Sequence, residues 1–157
     1  MGMYTKVNLV LPIKKDTDSN TLDILHHIFK GDELEDLKQA NITIPEHPFF
    51  KENSSIWFPI SGGSYYFTGT CNSSIKHDDL GEYAMVLHID TDFKNYDNEI
   101  DNFLDWVKSY LDVDEDGTFL GYSQYEEDLD PVLYYYKEGK ILSHRVDYMY
   151  AENKKGE

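Results

Sequence analysis

The sequence predicts an α+β domain: a mostly antiparallel sheet with two helices on one face, a ferredoxin-like core with extra C-terminal strands. Three observations carry that expectation. Segments of two-residue and 3.6-residue apolar period follow one another as β-α-β-β-α-β-β-β, so helices and strands are segregated rather than strictly alternating. Residues 95–125 hold an amphipathic helix, an acidic turn and a strand in direct succession, which lays a helix against a sheet. The 157 residues contain no internal repeat and no linker, so residues 1–151 read as a single domain, with a frayed charged tail at 152–157.

The first element is a strand. Val7, Leu9, Leu11 and Ile13 alternate with Lys6, Asn8, Val10, Pro12 and Lys14. Pro12 puts its last part at an edge or outside the ladder. Residues 16–20 are a turn rich in capping residues, and the helix after it carries Leu22, Leu25, Ile28 and Phe29 on one face and stops at Gly31. Residues 32–38 add a short acidic helix. Residues 42–64 are punctuated by Pro45, Pro48, Pro59, Gly62 and Gly63 and read as irregular chain, pinned to the core by Trp57 and Phe58. Residues 65–70 read as a strand and 71–81 as a polar loop. In the strand at 82–90, Tyr83, Met85, Leu87 and Ile89 face one way. The second long helix has Ile100, Phe103, Leu104, Val107 and Leu111 as its apolar stripe and Asn95 or Asp97 as its cap. Residues 112–117 turn the chain. Strands follow at 119–125, 131–137 and 141–150, the last two joined in a tight hairpin at Glu138-Gly139.

Composition narrows the function. The formal net charge is −16, which disfavours direct binding to nucleic acid or to an anionic membrane, because both reward Lys and Arg. It suits a partner protein with a basic surface. Apolar residues make up 40% and aromatics 15%, enough to oppose disorder over most of the length. Cys71 is the single cysteine and forms no internal disulfide. No signal-peptide pattern and no apolar run of about 20 residues is present. A bacterial cytoplasm is the expected location.

Four groups of residues are candidates for function. Asp97, Asp101 and Asp105 fall at i, i+4 and i+8 and share one helical row, where like charges are mildly destabilising. Glu126, Glu127, Asp128 and Asp130 form a second acidic cluster. Together they read either as a solvated face or as a surface that imitates a phosphate backbone and fills a basic groove. Tyrosines, Tyr122 and Tyr135 among them, alternate along the late strands, so some face away from the helices and can serve as anchors. Asp112, Asp114, Asp116 and Gly117 match the first half of a calcium loop, but Ser123 stands where a bidentate Glu is required, so no metal is expected. The six histidines and Cys71 show no metal-ligand spacing. No phosphate loop, nucleophile elbow or zinc-protease motif is present, so neither an enzyme nor a cofactor is expected.

The runs GMYTKVNLVLPIKKDT, SYYF, KNYDNEIDNFLDW and FLGYSQYEEDLDPVLYYY resemble a family of small uncharacterised proteins of bacteria and their phages, often found near prophage genes. The likeness covers both ends and the centre and is patchy from 34 to 64. The resemblance implies a bacterial or phage setting, and it brings no assigned activity or catalytic residues. With the charge, it leads to an expected function: a non-enzymatic acidic protein-binding module, used as an anti-defence inhibitor of a host nucleic-acid-handling enzyme. The alternatives are a small-molecule or cation-binding domain, and a toxin-neutralising immunity protein.

Overall fold

The computed structural model describes residues 3–52, 55–62 and 71–145. Along the chain come β1 (Thr5–Lys14), α1 (Ser19–Phe29), α2 (Leu34–Gln39), α3 (Pro48–Glu52), α4 (Phe58–Ser61), β2 (Ser74–Lys76) and β3 (Tyr83–Phe93). Then follow α5 (Glu99–Val107) with a 3₁₀ turn (Lys108–Tyr110), β4 (Thr118–Tyr125), β5 (Val132–Lys137) and β6 (Lys140–Arg145). Among the described residues the strands form one six-stranded sheet in the order β2-β3-β1-β4-β5-β6, and every pairing is antiparallel. The first four strands in that order, with α1 between β1 and β2 and α5 between β3 and β4, reproduce the expected ferredoxin-like core. β5 and β6 are the added strands. The fold is α+β.

β1 lies at the centre of that core. Its two-residue period sends Val7, Leu9, Leu11 and Ile13 to the helix-covered face, where all four are buried. Met85, Leu87 and Ile89 of β3 join them opposite Ile13, Leu11 and Leu9. Pro12 remains in the ladder with β3, opposite Val86, but the pairing of β1 with β4 ends at Leu9–Gly121. The Pro12 carbonyl accepts from the Asp112 N–H at 2.9 Å on that open side. The missing N–H of the proline therefore falls where no strand asks for it.

The helices close the inner face. Asp18 caps α1, its carboxylate accepting from the Thr21 N–H at 2.9 Å and from the Thr21 hydroxyl at 2.8 Å. The deepest side chains of α1 are Thr21, Ile24, Leu25 and Ile28, while Leu22 and Phe29 are half-buried. α5 begins one residue after Asn98, which sits in the left-handed region at φ 56°. Asn98, not Asn95 or Asp97, is thus the cap position, though the Asn95 side chain still accepts from the Ile100 N–H at 3.3 Å. Trp106 widens the expected stripe: it is buried between Phe50, at 5.0 Å edge-on, and Phe49, stacked at 5.9 Å.

Three expectations change. The prolines at 48 and 59 do not mark irregular chain. They stand at the beginning of α3 and α4, where a fixed φ suits the first turn and no N–H is needed. The polar stretch 71–81 contains β2, which has no strand pattern of its own and exists by pairing with β3 at Ser74–His88, Ile75–Leu87 and Lys76–Val86. The strand at 119–125 carries an irregularity between Phe119 and Gly121, with Leu120 turned into the core. The expected strand at 65–70, the end of the strand at 141–150 and the tail at 152–157 lie outside the described residues.

Two substitutions test this architecture. Phe103 is 1% exposed beside the rings of Phe49 and Trp106, and Phe103→Ala is expected to lower stability by about 3–5 kcal/mol in urea unfolding. A loss under about 1 kcal/mol contradicts the buried face assigned to α5. Gly121 sits at φ 142°, and a Cβ there would collide with the Asn8 carbonyl oxygen of β1. Gly121→Ala is expected to cost about 2 kcal/mol or more, because the clash is with backbone and β1 must move. An unchanged unfolding midpoint contradicts the close β1–β4 approach.

Candidate docking groove

The sheet is wider than the helices that cover it. β5 and β6 carry Val132, Tyr134, Tyr136, Ile141, Ser143 and Arg145 toward the helix side, since cross-strand partners share a face. A groove runs between this strip and α5 with its 3₁₀ turn. One part has a volume of about 480 Å³, bounded by Thr5, Ile100, Ser123, Asp128 and Arg145. A second part of about 290 Å³ is bounded by Leu104, Asp105, Lys108, Lys140 and Ile141. Asp101, Tyr134 and Ser143 line both parts.

The floor is polar but satisfied. The Tyr134 and Ser123 hydroxyls are hydrogen bonded at 2.8 Å, and both residues are buried. Burial pushes the Tyr134 phenol above its ordinary value; the Asp101 charge adds to this and the Ser123 bond opposes it. The walls are charged. The Arg145 guanidinium donates to Asp128 at 3.1 Å. The Lys108 ammonium donates to Asp105, and the His47 Nε2 lies 2.9 Å from the other Asp105 oxygen. The Lys108 bond first, and the His47 contact second, hold the Asp105 carboxyl below the usual carboxylate range. Asp101 is exposed and has no ion pair among the described residues.

The residues singled out from sequence separate into several places. Asp101, Asp105 and Asp128 come together in the groove. Asp97 precedes the helix, so the expected three-residue row on α5 is a pair, and Asp97 lines another cavity. Tyr122 pairs with Asn8 and Leu133 on the outer face. Tyr135 lies on that face too, its ring 5.4 Å from Phe119. Glu126, Glu127 and Asp130 belong to the link between β4 and β5, where the Glu126 N–H donates to the Tyr4 carbonyl at 2.9 Å and Glu127 is exposed. The sequence reading missed Ser123, Tyr134, Arg145, Lys108 and Lys140 as groove residues. Strand alternation places the first three on one face once the register is known, and nothing short of the register does.

The remaining candidates find structural roles. Asp116 accepts from the Glu138 N–H at 2.8 Å, tying the acidic turn to the β5–β6 turn. Ser123, at the twelfth position of the calcium-loop spacing, is buried in β4. Among the described residues no three His, Cys, Asp or Glu side chains are grouped to hold a metal. His27 pairs with Asp32 at 2.7 Å, and the rings of His26 and His77 lie 5.9 Å apart. Cys71 is half-buried, its thiol 3.4 Å from the Ile60 carbonyl. No helix among the described residues is long and apolar enough to cross a membrane.

Comparison of the chain with family models, with curated proteins and with solved structures yields no match. The resemblance to the phage-associated family rests on the quoted runs alone.

The Asp105 ion cluster has a pH signature. Its folded value is depressed, so the stability it contributes is present above its unfolded value near 3.8 and is lost as pH falls through the lower folded value. A carboxyl-resolved NMR titration is expected to show Asp105 titrating below the ordinary aspartate value, and Lys108→Ala is expected to raise it. An Asp105 that titrates at or above the ordinary aspartate value in the wild type contradicts the cluster.

Proposed function

We propose that the protein is a non-enzymatic acidic binding module that seats a basic surface of another protein in the groove beside α5. The observation that carries this reading is the position of Asp101: an exposed carboxylate without an ion pair among the described residues, at the junction of both halves of the groove. A lysine or arginine placed there gives Asp101 an ion-pair partner that no described side chain supplies. Leu104 and Ile141 give the second part of the groove apolar surface for the partner's side-chain stems. The net charge of −16 adds long-range attraction for a basic partner. Tyr122 and Tyr135 lie on the opposite face of the sheet, so neither anchors a partner seated in the groove.

The partner class that fits is a protein with a basic, phosphate-binding surface, and the use we infer is inhibition of a host nucleic-acid-handling defence enzyme. The charge and groove support the first statement; the resemblance to phage-associated proteins supports the second. The alternative as an immunity protein differs only in the partner, a basic toxin.

Pull-down from infected or lysogenic bacterial cells identifies the partner. Association and dissociation are then measured at two salt concentrations for the wild type and for the double variant Asp101→Lys, Asp105→Lys. The double variant is expected to associate about tenfold more slowly at low salt, with the gap narrowing at high salt, since steering acts on encounter and is screened. Equal association rates in all four conditions remove α5 from the binding surface and sink the proposal.

A further inference from the structure

A second cavity, of about 340 Å³, opens at the end of the sheet near the start of β1, the end of β3 and the first turn of α5. Tyr4, Trp57, Phe93, Lys94 and Tyr96 line it, and they reach it from three separate segments of the chain. Its acidic members are Asp97, exposed, and Glu99, 4% exposed. The volume lies at the small end of the roughly 300–1,000 Å³ usual for ligand pockets. We infer that this aromatic and carboxylate-lined cavity is a binding site for a methylated ammonium group.

The rings and the carboxylates of the cavity favour the same chemistry, and the Lys94 ammonium is the lining group that opposes it. The face of an aromatic ring carries the negative end of a quadrupole and attracts a cation within about 6 Å of its centroid. The chain itself displays this: the exposed Lys94 ammonium sits 5.6 Å from the Tyr4 ring centroid. Glu99 supplies the formal countercharge. It accepts from the Asp97 N–H at 3.1 Å, and it has no ion pair among the described residues. Its place in the first turn of α5 favours the ionised form, yet burial outweighs this and pushes the carboxyl up. A cation in the cavity would offset that unfavourable burial.

The kind of cation follows from what is absent from the lining. Calcium takes six to eight oxygen ligands and magnesium keeps a full octahedron, whereas this cavity offers two carboxylates and the Lys94 ammonium among rings. A methylated ammonium is large, singly charged and weakly hydrated. It gives up little water on entering an aromatic site, and its methyl groups bury apolar area against the rings. The group can arrive on a free small molecule such as choline or on a methylated lysine side chain; both present the same head. This inference does not depend on the groove beside α5, and it gives the small-molecule alternative a location and a chemistry.

The test is calorimetric titration of the full chain with choline, with its neutral isostere 3,3-dimethylbutan-1-ol, and with a short peptide bearing trimethyllysine or unmodified lysine. Saturable binding of choline, or of the trimethyllysine peptide, is expected to exceed that of the matching uncharged or unmethylated probe by about tenfold or more. Choline binding alone assigns the site to a small molecule, and peptide binding alone assigns it to a protein tail; either supports the inference. Glu99→Gln and Trp57→Ala are each expected to weaken binding about tenfold. Tyr96 is 64% exposed, so Tyr96→Ala tests the cavity without a buried substitution and is expected to weaken binding at least threefold. No saturable binding of either cation, equal binding of charged and neutral isosteres, or full affinity in Tyr96→Ala overturns the assignment.

Discussion

Everything in this fold depends on how closely β1 can be flanked. It is paired along its full length with β3 and along its first half with β4, while four of its side chains form the centre of the core. On the β4 side the approach is tight enough that only a residue without a Cβ fits at 121. The adjacent irregularity turns Leu120 inward and shifts the register with β5. That register decides which late-strand residues share a face with α5. A single backbone contact in the core thus sets the composition of a groove at the rim.

The groove itself is a consequence of counting. α1 and α5 cover the width of a four-stranded ferredoxin-like core, and among the described residues this sheet has six strands. The inner face of β5 and β6 is left to pack as it can against the flank of α5. Tyr134 is the side chain that makes this workable: it is buried against the core, while its hydroxyl is satisfied by Ser123. The outcome is a trough whose floor is hydrogen bonded and whose walls are charged.

The acid in the chain is not spread evenly in its effect. Asp18 and Asp116 bind backbone N–H groups and hold a helix start and a turn. Asp105 and Asp128 are held by Lys108, His47 and Arg145. Only after these local uses are removed does the remaining charge bear on partners, and Asp101 is then the groove carboxylate left to act on something outside the chain. Glu99 differs again, because burial rather than a neighbour governs it. Net charge alone would treat all of these residues as equivalent.

By itself the sequence determined the elements whose residues report on a face locally. The alternation in β1 and β3 and the stripe on α5 are written in near neighbours, because strand and helix periods are fixed by backbone geometry. The α+β class and the ferredoxin-like order with extra strands followed from those periods and their sequence. Proximity across the chain is where local pattern carries no information. β2 is a strand because β3 offers an edge, and α3 is a helix because Phe49 and Phe50 have Trp106 and Phe103 to pack on. Asp97 looked like a member of an acidic row, but the left-handed Asn98 starts the helix after it and leaves it at a different cavity. Tyr4, Trp57, Phe93, Tyr96 and Glu99 share no spacing that a sequence reading could detect. They meet only because the sheet brings the start of β1 beside the end of β3, and long-range pairing of that kind is settled by the energy of the whole core rather than by any short run of residues.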